Sequence, residues 1–136
     1  MEVCLDTDVL IDLLRGRREV VERLRGLEFV PAVTAVTVAE LYMGERGGEK
    51  LDLILRRLKF YPLDFESARL AGKIYRALRR RGEPIDFRDV LTGAICIRQG
   101  VPLVTRNVRH FKRLEEFGLA VMSIEELSSG VAGSRA

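Results

Sequence analysis

Short β-branched, apolar runs and helix-period segments take turns along this chain, and that alternation limits the fold more than any other feature. Val3-Cys4-Leu5 reads as a buried strand, and residues 8–14 begin a helix that Asp8 can cap. Residues 17–27 place Val20, Leu24 and Leu27 on one face of a second helix. The run 29–36 reads as a strand in which Pro31, lacking an N–H, predicts an edge position or a bulge. A short helix follows from Thr37 and stops at Gly47 and Gly48; the next, over 49–59, aligns Leu51, Ile54, Leu55 and Leu58. Residues 60–65 predict a short strand, with Asp64 and Glu66 in the first turn of a long helix over 65–81 that buries Ala71, Ile74, Tyr75 and Leu78 and ends at Gly82. A further helix runs from Asp86 or Phe87 to Gln99, and its Gly93, Ala94 and Cys96 permit close packing. A strand at 102–105, a helix at 109–117 and a last strand at 119–124 complete the series. This order favours an α/β fold with a largely parallel sheet.

The 136 residues suffice for one domain, here 1–127, with 128–136 read as a flexible C-terminal tail. No apolar run approaches the ~18 residues of a membrane span, and the N-terminus enters a strand without a basic leader, so a cytoplasmic protein with no membrane contact is expected. Cys4 and Cys96 lie in apolar segments and read as buried free thiols; with a single histidine they speak against a zinc site. Net charge is only +3, yet residues 69–113 hold twelve Lys/Arg against three acids. A basic surface beside an acidic remainder suits a polyanion bound near a cation pocket, although a solvated arginine-rich helix face gives the same pattern.

Acids cluster where strands end. Asp6 closes the first strand, Glu40 follows the second, Asp89 opens a helix, and Thr105 and Asn107 close the strand at 102–105. In an open parallel sheet these positions meet at the carboxyl edge if their strands are neighbours. Several carboxylates in one cleft repel each other unless a cation intervenes, and hard oxygen donors without His or Cys select magnesium or manganese. Structural readings compete for single residues. Thr37 to Glu40 has capping-box spacing, Asp8 and Asp86 can be N-caps, Asp89 suits a helix dipole, and Asp12 reads as solvent-facing. Asp6 has no such reading, because an acid in an apolar strand has no cap to make.

Four stretches carry a resemblance: "CLDTDVLIDLL", "VTVAELYMG", "GEPIDFRDVLTGAI" and "PLVTRNVRHF". In this order they resemble the successive motifs of PIN-domain ribonucleases, most closely the VapC-type toxins of prokaryotic toxin–antitoxin pairs, over about residues 2–127. The resemblance implies a three-layer α/β/α sandwich with a mostly parallel central sheet and a ribonuclease site dependent on Mg2+ or Mn2+. It also implies a homodimer and a small antitoxin as inhibitor. Carried over, the metal-binding acids are Asp6, Glu40 and Asp89; Asn107 stands where the family often has a fourth aspartate, two residues after Thr105. Asp86, one turn before Asp89, and Asp8 are auxiliary candidates. Phosphate contacts to RNA are expected from Arg79, Arg80, Arg81, Arg106 and Arg109, with His110 as a further phosphate contact or an ordinary surface histidine. Leu10, Leu13 and Leu14 with Leu41, Tyr42 and Met43 are the expected apolar seat of an antitoxin helix.

Two rivals remain open. One is a PIN-like module that binds RNA or a partner without cutting, which the neutral Asn107 keeps in play. The other is a phosphohydrolase of the haloacid-dehalogenase type, since Asp6-Thr7-Asp8-Val9 nearly matches its nucleophile motif; Leu10 departs from that motif, and no later Gly-Asp-x-x-x-Asp segment occurs.

Overall fold

The structure is a computed structural model that describes residues 1–26, 28–44 and 48–127. The elements follow in the order β1 (Glu2–Leu5), α1 (Thr7–Leu14), α2 (Arg18–Arg25), β2 (Val30–Thr34), α3 (Ala35–Met43), α4 (Gly48–Arg56) and β3 (Lys59–Tyr61). Then come α5 (Phe65–Arg80), α6 (Phe87–Gln99), β4 (Leu103–Val104), α7 (Val108–Phe111), a 3₁₀ segment (Lys112–Phe117) and β5 (Val121–Met122). The strands form one sheet in the order β3-β2-β1-β4-β5. Every pairing in it is parallel.

Strand periodicity produces the layers. Along β1, Val3 and Leu5 enter one apolar core while Cys4 enters the other; Ala32 and Val33 of β2, and Leu103 and Val104 of β4, divide in the same way. Helices α5 and α6 cover the Cys4 face with Ala71, Ile74, Leu78, Val90 and Ala94. On the Val3 and Leu5 face, α1, α2 and α4 contribute Val9, Leu10, Val20 and Leu51. The result is an α/β/α sandwich whose strands are apolar on both faces, as a parallel sheet requires. Both cysteines are buried free thiols.

The chain builds outward from β1 through β2 to β3, then returns to place β4 on the other side of β1. That reversal opens a crevice at the carboxyl ends of β1 and β4. The backbone N–H of Asp6 donates to Val104 O at 2.9 Å, so the first acid sits at the mouth of the crevice.

Several local expectations are corrected. Pro31 lies in an interior strand, paired with β1 and β3. The N–H of Val30 donates to Met1 O, so the ring nitrogen of Pro31 faces the β3 side, where pairing starts only at Ala32. Asp8 does not cap α1; Asp6 holds the N-cap position. Helix α3 ends at Gly44, and Gly48 opens α4; Gly47, Leu27 and the tail at 128–136 lie outside the described residues. The expected capping box also fails to form, because Thr34 is the N-cap of α3 and accepts from Thr37 N, leaving Glu40 free within the helix.

Gly93 shows how close α6 lies to the 3₁₀ segment. A Cβ at this position would run into Cδ1 of the fully buried Leu114 and come within 3.7 Å of Leu119 Cδ2. We expect Gly93→Ala to destabilise the fold by about 1–2 kcal/mol, since overpacking outweighs the gain in helix propensity. Urea unfolding would measure it, and a variant as stable as the parent would mean that Leu114 can turn aside.

Candidate active site

Asp6 follows directly on the buried residues Val3, Cys4 and Leu5, so its carboxylate has little access to water: the residue is 9% exposed. It occupies a helix N-cap position without making the cap hydrogen bond. Its carboxylate instead accepts from Thr105 Oγ1 at 2.8 Å, across the β1–β4 crevice. Burial first, and then the charge of Asp8, push the Asp6 pKa up to about 7; Asp89 adds a smaller repulsion, and the Thr105 hydroxyl opposes the shift. Burial also raises the Asp8 carboxyl, against the backbone N–H and the charge of Arg106. That N–H donates to Asp8 Oδ2 at 3.2 Å.

Asp12 contradicts its expected solvent exposure. Its side chain is 4% exposed, and both oxygens accept from Arg106 Nη1, at 2.8 and 2.9 Å, while Arg17 Nε lies 3.2 Å away. The signal was present, since Asp12 falls three residues after Val9 and inside the stripe of Val9 and Leu10 that faces the core. Arg106 is thereby committed to α1, and its guanidinium is not the free phosphate contact expected of it.

Glu40 projects from the middle of α3 and accepts from Thr7 Oγ1 at 2.7 Å. The Thr7 hydroxyl also meets that of Thr37 at 3.0 Å. Arg88 reaches Glu40 Oε2 at 3.6 Å while its Nε stays 3.3 Å from Asp86. Asp86 caps α6 by accepting from Arg88 N at 2.8 Å, so its carboxylate is occupied by its own helix terminus. Asp89, in the first turn of α6, meets Nε2 of His110 at 2.8 Å. Asn107 is exposed; its backbone N–H donates to Thr105 Oγ1 at 3.0 Å, and its side chain does not cap α7.

Three carboxylate stations thus surround the crevice: Asp6 with Thr105, Glu40 with Thr7 and Arg88, and Asp89 with His110. Among the described residues, no three His, Cys, Asp or Glu side chains come together as a ready cluster for a metal ion. Thr7, Arg88 and the partnership of His110 with Asp89 were not legible in the sequence, because each depends on contacts between distant segments.

The arginine set divides. Helices α5 and α6 run antiparallel, as the charge of Arg98 acting on Asp64 and the edge-to-face rings of Tyr75 and Phe87, 5.3 Å apart, both show. Arg79, Arg80 and Arg81 therefore end on the same side as Asp86 and Asp89. Arg81 forms a two-point pair with Glu116 at 2.9 and 2.8 Å, and Arg79 lies over the Tyr75 ring. Arg80 and Arg109 form no ion pair with other described residues. The expected antitoxin seat is corrected as well: Leu10 and Leu41 belong to the core, at 0% and 1% exposure, whereas Tyr42 and Met43 are exposed. Met43 lines an apolar cleft of about 320 Å³ with Val36, Leu63 and Leu91, and this cleft borders Glu40 and Arg88.

Comparison with known proteins agrees with this fold. The PIN domain family matches residues 3–116. Ribonuclease VapC1 of Methanocaldococcus jannaschii is 34% identical over 88% of this chain and 86% of its own. Ribonuclease VapC10 of Mycobacterium tuberculosis is 33% identical over 84% and 89%. Among solved structures, VapBC2 from Rickettsia felis, bound to a DNA fragment from its promoter, superposes with a TM-score of 0.78 at 23% identity, covering 90% of this chain and 98% of that one. FitAcB from Neisseria gonorrhoeae gives 0.74 at 25% identity over 92% and 99%. With its sheet order, its acids at the strand ends and these relatives, the chain belongs to the PIN-domain family and is homologous to the VapC ribonucleases within it.

Proposed function

We propose that this protein is a Mg2+- or Mn2+-dependent endoribonuclease acting as the toxin of a toxin–antitoxin pair. The observation that carries this reading is Asp6: a buried carboxylate at a strand end, with no cationic side chain on it among the described residues, facing further acids in an open crevice. Such a group needs a cation or a proton. The donor chemistry fits a hard divalent ion, since Asp6, Glu40 and Asp89 offer only carboxylate oxygens; the three stations have to draw together to share it. When bound, the ion would acidify a water and neutralise phosphoryl charge. The chain's own residues orient these oxygens, with Thr105 holding Asp6 and Thr7 holding Glu40. Arg80 and Arg109, which form no ion pair with other described residues, are available for RNA phosphates, and Asn107 replaces a fourth acid without adding charge.

The toxin–antitoxin complexes among the similar structures support an antitoxin partner; its small size and homodimerisation of this chain belong to the same reading. Cytoplasmic action is proposed with it, and no helix among the described residues is long and apolar enough to cross a membrane. Incubating the protein with unfractionated RNA in Mg2+, Mn2+ or chelator tests the activity. We expect cleavage only with the cations, and a loss of about a hundredfold or more for Glu40→Gln or Asp89→Asn with unchanged thermal melts. RNA bound but left intact in every cation would instead establish the non-cutting module that Asn107 suggests.

A further inference from the structure

We propose that His110 is a positioning residue that fixes the carboxylate of Asp89 for the site's cation, rather than a contact to RNA phosphate. The inference rests on the nuclease reading and deepens it. His110 is the only histidine in the chain. Its Nε2 lies 2.8 Å from Asp89 Oδ2, and the two side chains are 24% and 33% exposed. Among the described residues, Asp89 Oδ1 accepts no side-chain hydrogen bond, so tying Oδ2 leaves one oxygen uncommitted at the crevice.

The ring is held on its own side too. The backbone N–H of His110 donates to Asn107 O at 3.1 Å, and the imidazole packs edge-on against Phe111, with centroids 5.4 Å apart at 83°. Phe111 is 1% exposed and anchors α7 in the core. A carboxylate one turn into a helix can rotate about its terminal torsion, which is broad and soft. A rigid ring braced by a core aromatic removes that freedom, and partners of this kind sustain metal affinity in known sites. When its Nε2–H serves Asp89, a neutral imidazole presents only a lone pair at Nδ1, which cannot donate to a phosphate oxygen.

Three substitutions separate the roles. His110→Ala should weaken Mn2+ binding by about 10–100-fold, followed by the electron paramagnetic resonance of free Mn2+, and lower kcat with little change in KM for RNA. His110→Gln carries an amide nitrogen near the reach of Nε2 and should restore most of the affinity, whereas His110→Asn, whose amide falls short, should not. The lone imidazole gives a second readout: its ¹⁵N resonances should shift on addition of Mg2+, and should lose that response in Asp89→Asn. Thermal melts of each variant confirm folding. Unchanged Mn2+ affinity in His110→Ala with a raised KM would overturn the inference in favour of a phosphate contact and leave the nuclease reading standing. A parent protein that binds no Mn2+ and shows no Mg2+-dependent shift would overturn the reading and the inference together.

Discussion

Asp6→Asn should abolish RNA cleavage and, in the same protein, make the metal-free fold harder to unfold at pH 8. The Asp6 carboxyl titrates at about 7 in the fold against an ordinary value of 3.8, chiefly because it is buried and secondly because Asp8 repels it. Below pH ~4 both the folded and unfolded chains carry this proton and the shift has no effect. Between pH ~4 and ~7 the unfolded chain releases it while the folded one keeps it, so native stability falls as pH rises. Above pH ~7 the deficit is complete, with a ceiling of about 4 kcal/mol for a shift of this size. The amide retains an acceptor for Thr105 and carries no charge, so the variant should lack this loss. Urea melts in chelator at several pH values would show it. Mn2+ should then raise the unfolding midpoint of the parent and leave that of the variant unmoved. Parallel pH profiles for the two proteins would mean that Asp6 is not the buried acid described above.

Arg106→Ala should cost about 2 kcal/mol of stability and most of the activity, whereas Asp12→Asn should cost clearly less stability. The asymmetry follows from burial. Removing Arg106 strands a carboxylate that is 4% exposed, with Arg17 as its remaining partner. Removing the charge of Asp12 strands only arginines whose side chains are 52% and 56% exposed and free to hydrate. A fully buried pair broken in this way loses roughly 3–5 kcal/mol, and the exposure of both arginines reduces that figure. The double variant Asp12→Asn/Arg106→Ala should therefore be more stable than Arg106→Ala alone. Activity suffers because the Arg106 side chain ties the turn after β4 to Asp12 of α1, and the neighbouring Thr105 holds Asp6 from that turn. Additive losses in the double variant would show that the two side chains are not coupled.

Local physics sufficed for much of this protein. Alternating apolar runs and helix-period segments specify a parallel α/β sandwich, because a strand apolar on both faces has to be covered twice. The end of α5 at Gly82 and its start at Asp64 follow from backbone and capping preferences confined to a few residues. The placement of Asp6, Glu40 and Asp89 near one crevice follows from strand order once β1, β2 and β4 are neighbours.

The partners of those acids required the tertiary structure. Thr7 meets Glu40 across 33 residues, Thr105 meets Asp6 across 99, and Arg106 meets Asp12 across 94. No spacing rule reaches so far, since side-chain pairs across such separations depend on how two elements dock and not on either element alone. For the same reason, the pairing of Asp12 with Arg106 follows from how α1 packs against the turn after β4, and the contact of His110 with Asp89 from how α7 lies beside α6. The sequence by itself determined the alternation of strands and helices, the two apolar faces of the strands and the acids that follow them, because these follow from residue periods of two and 3.6; the strand order that brings those acids to one edge came from the tertiary structure. Only the tertiary structure decided which acid is buried, which is paired and which is braced by a ring, because desolvation and hydrogen bonding are properties of the packed neighbourhood.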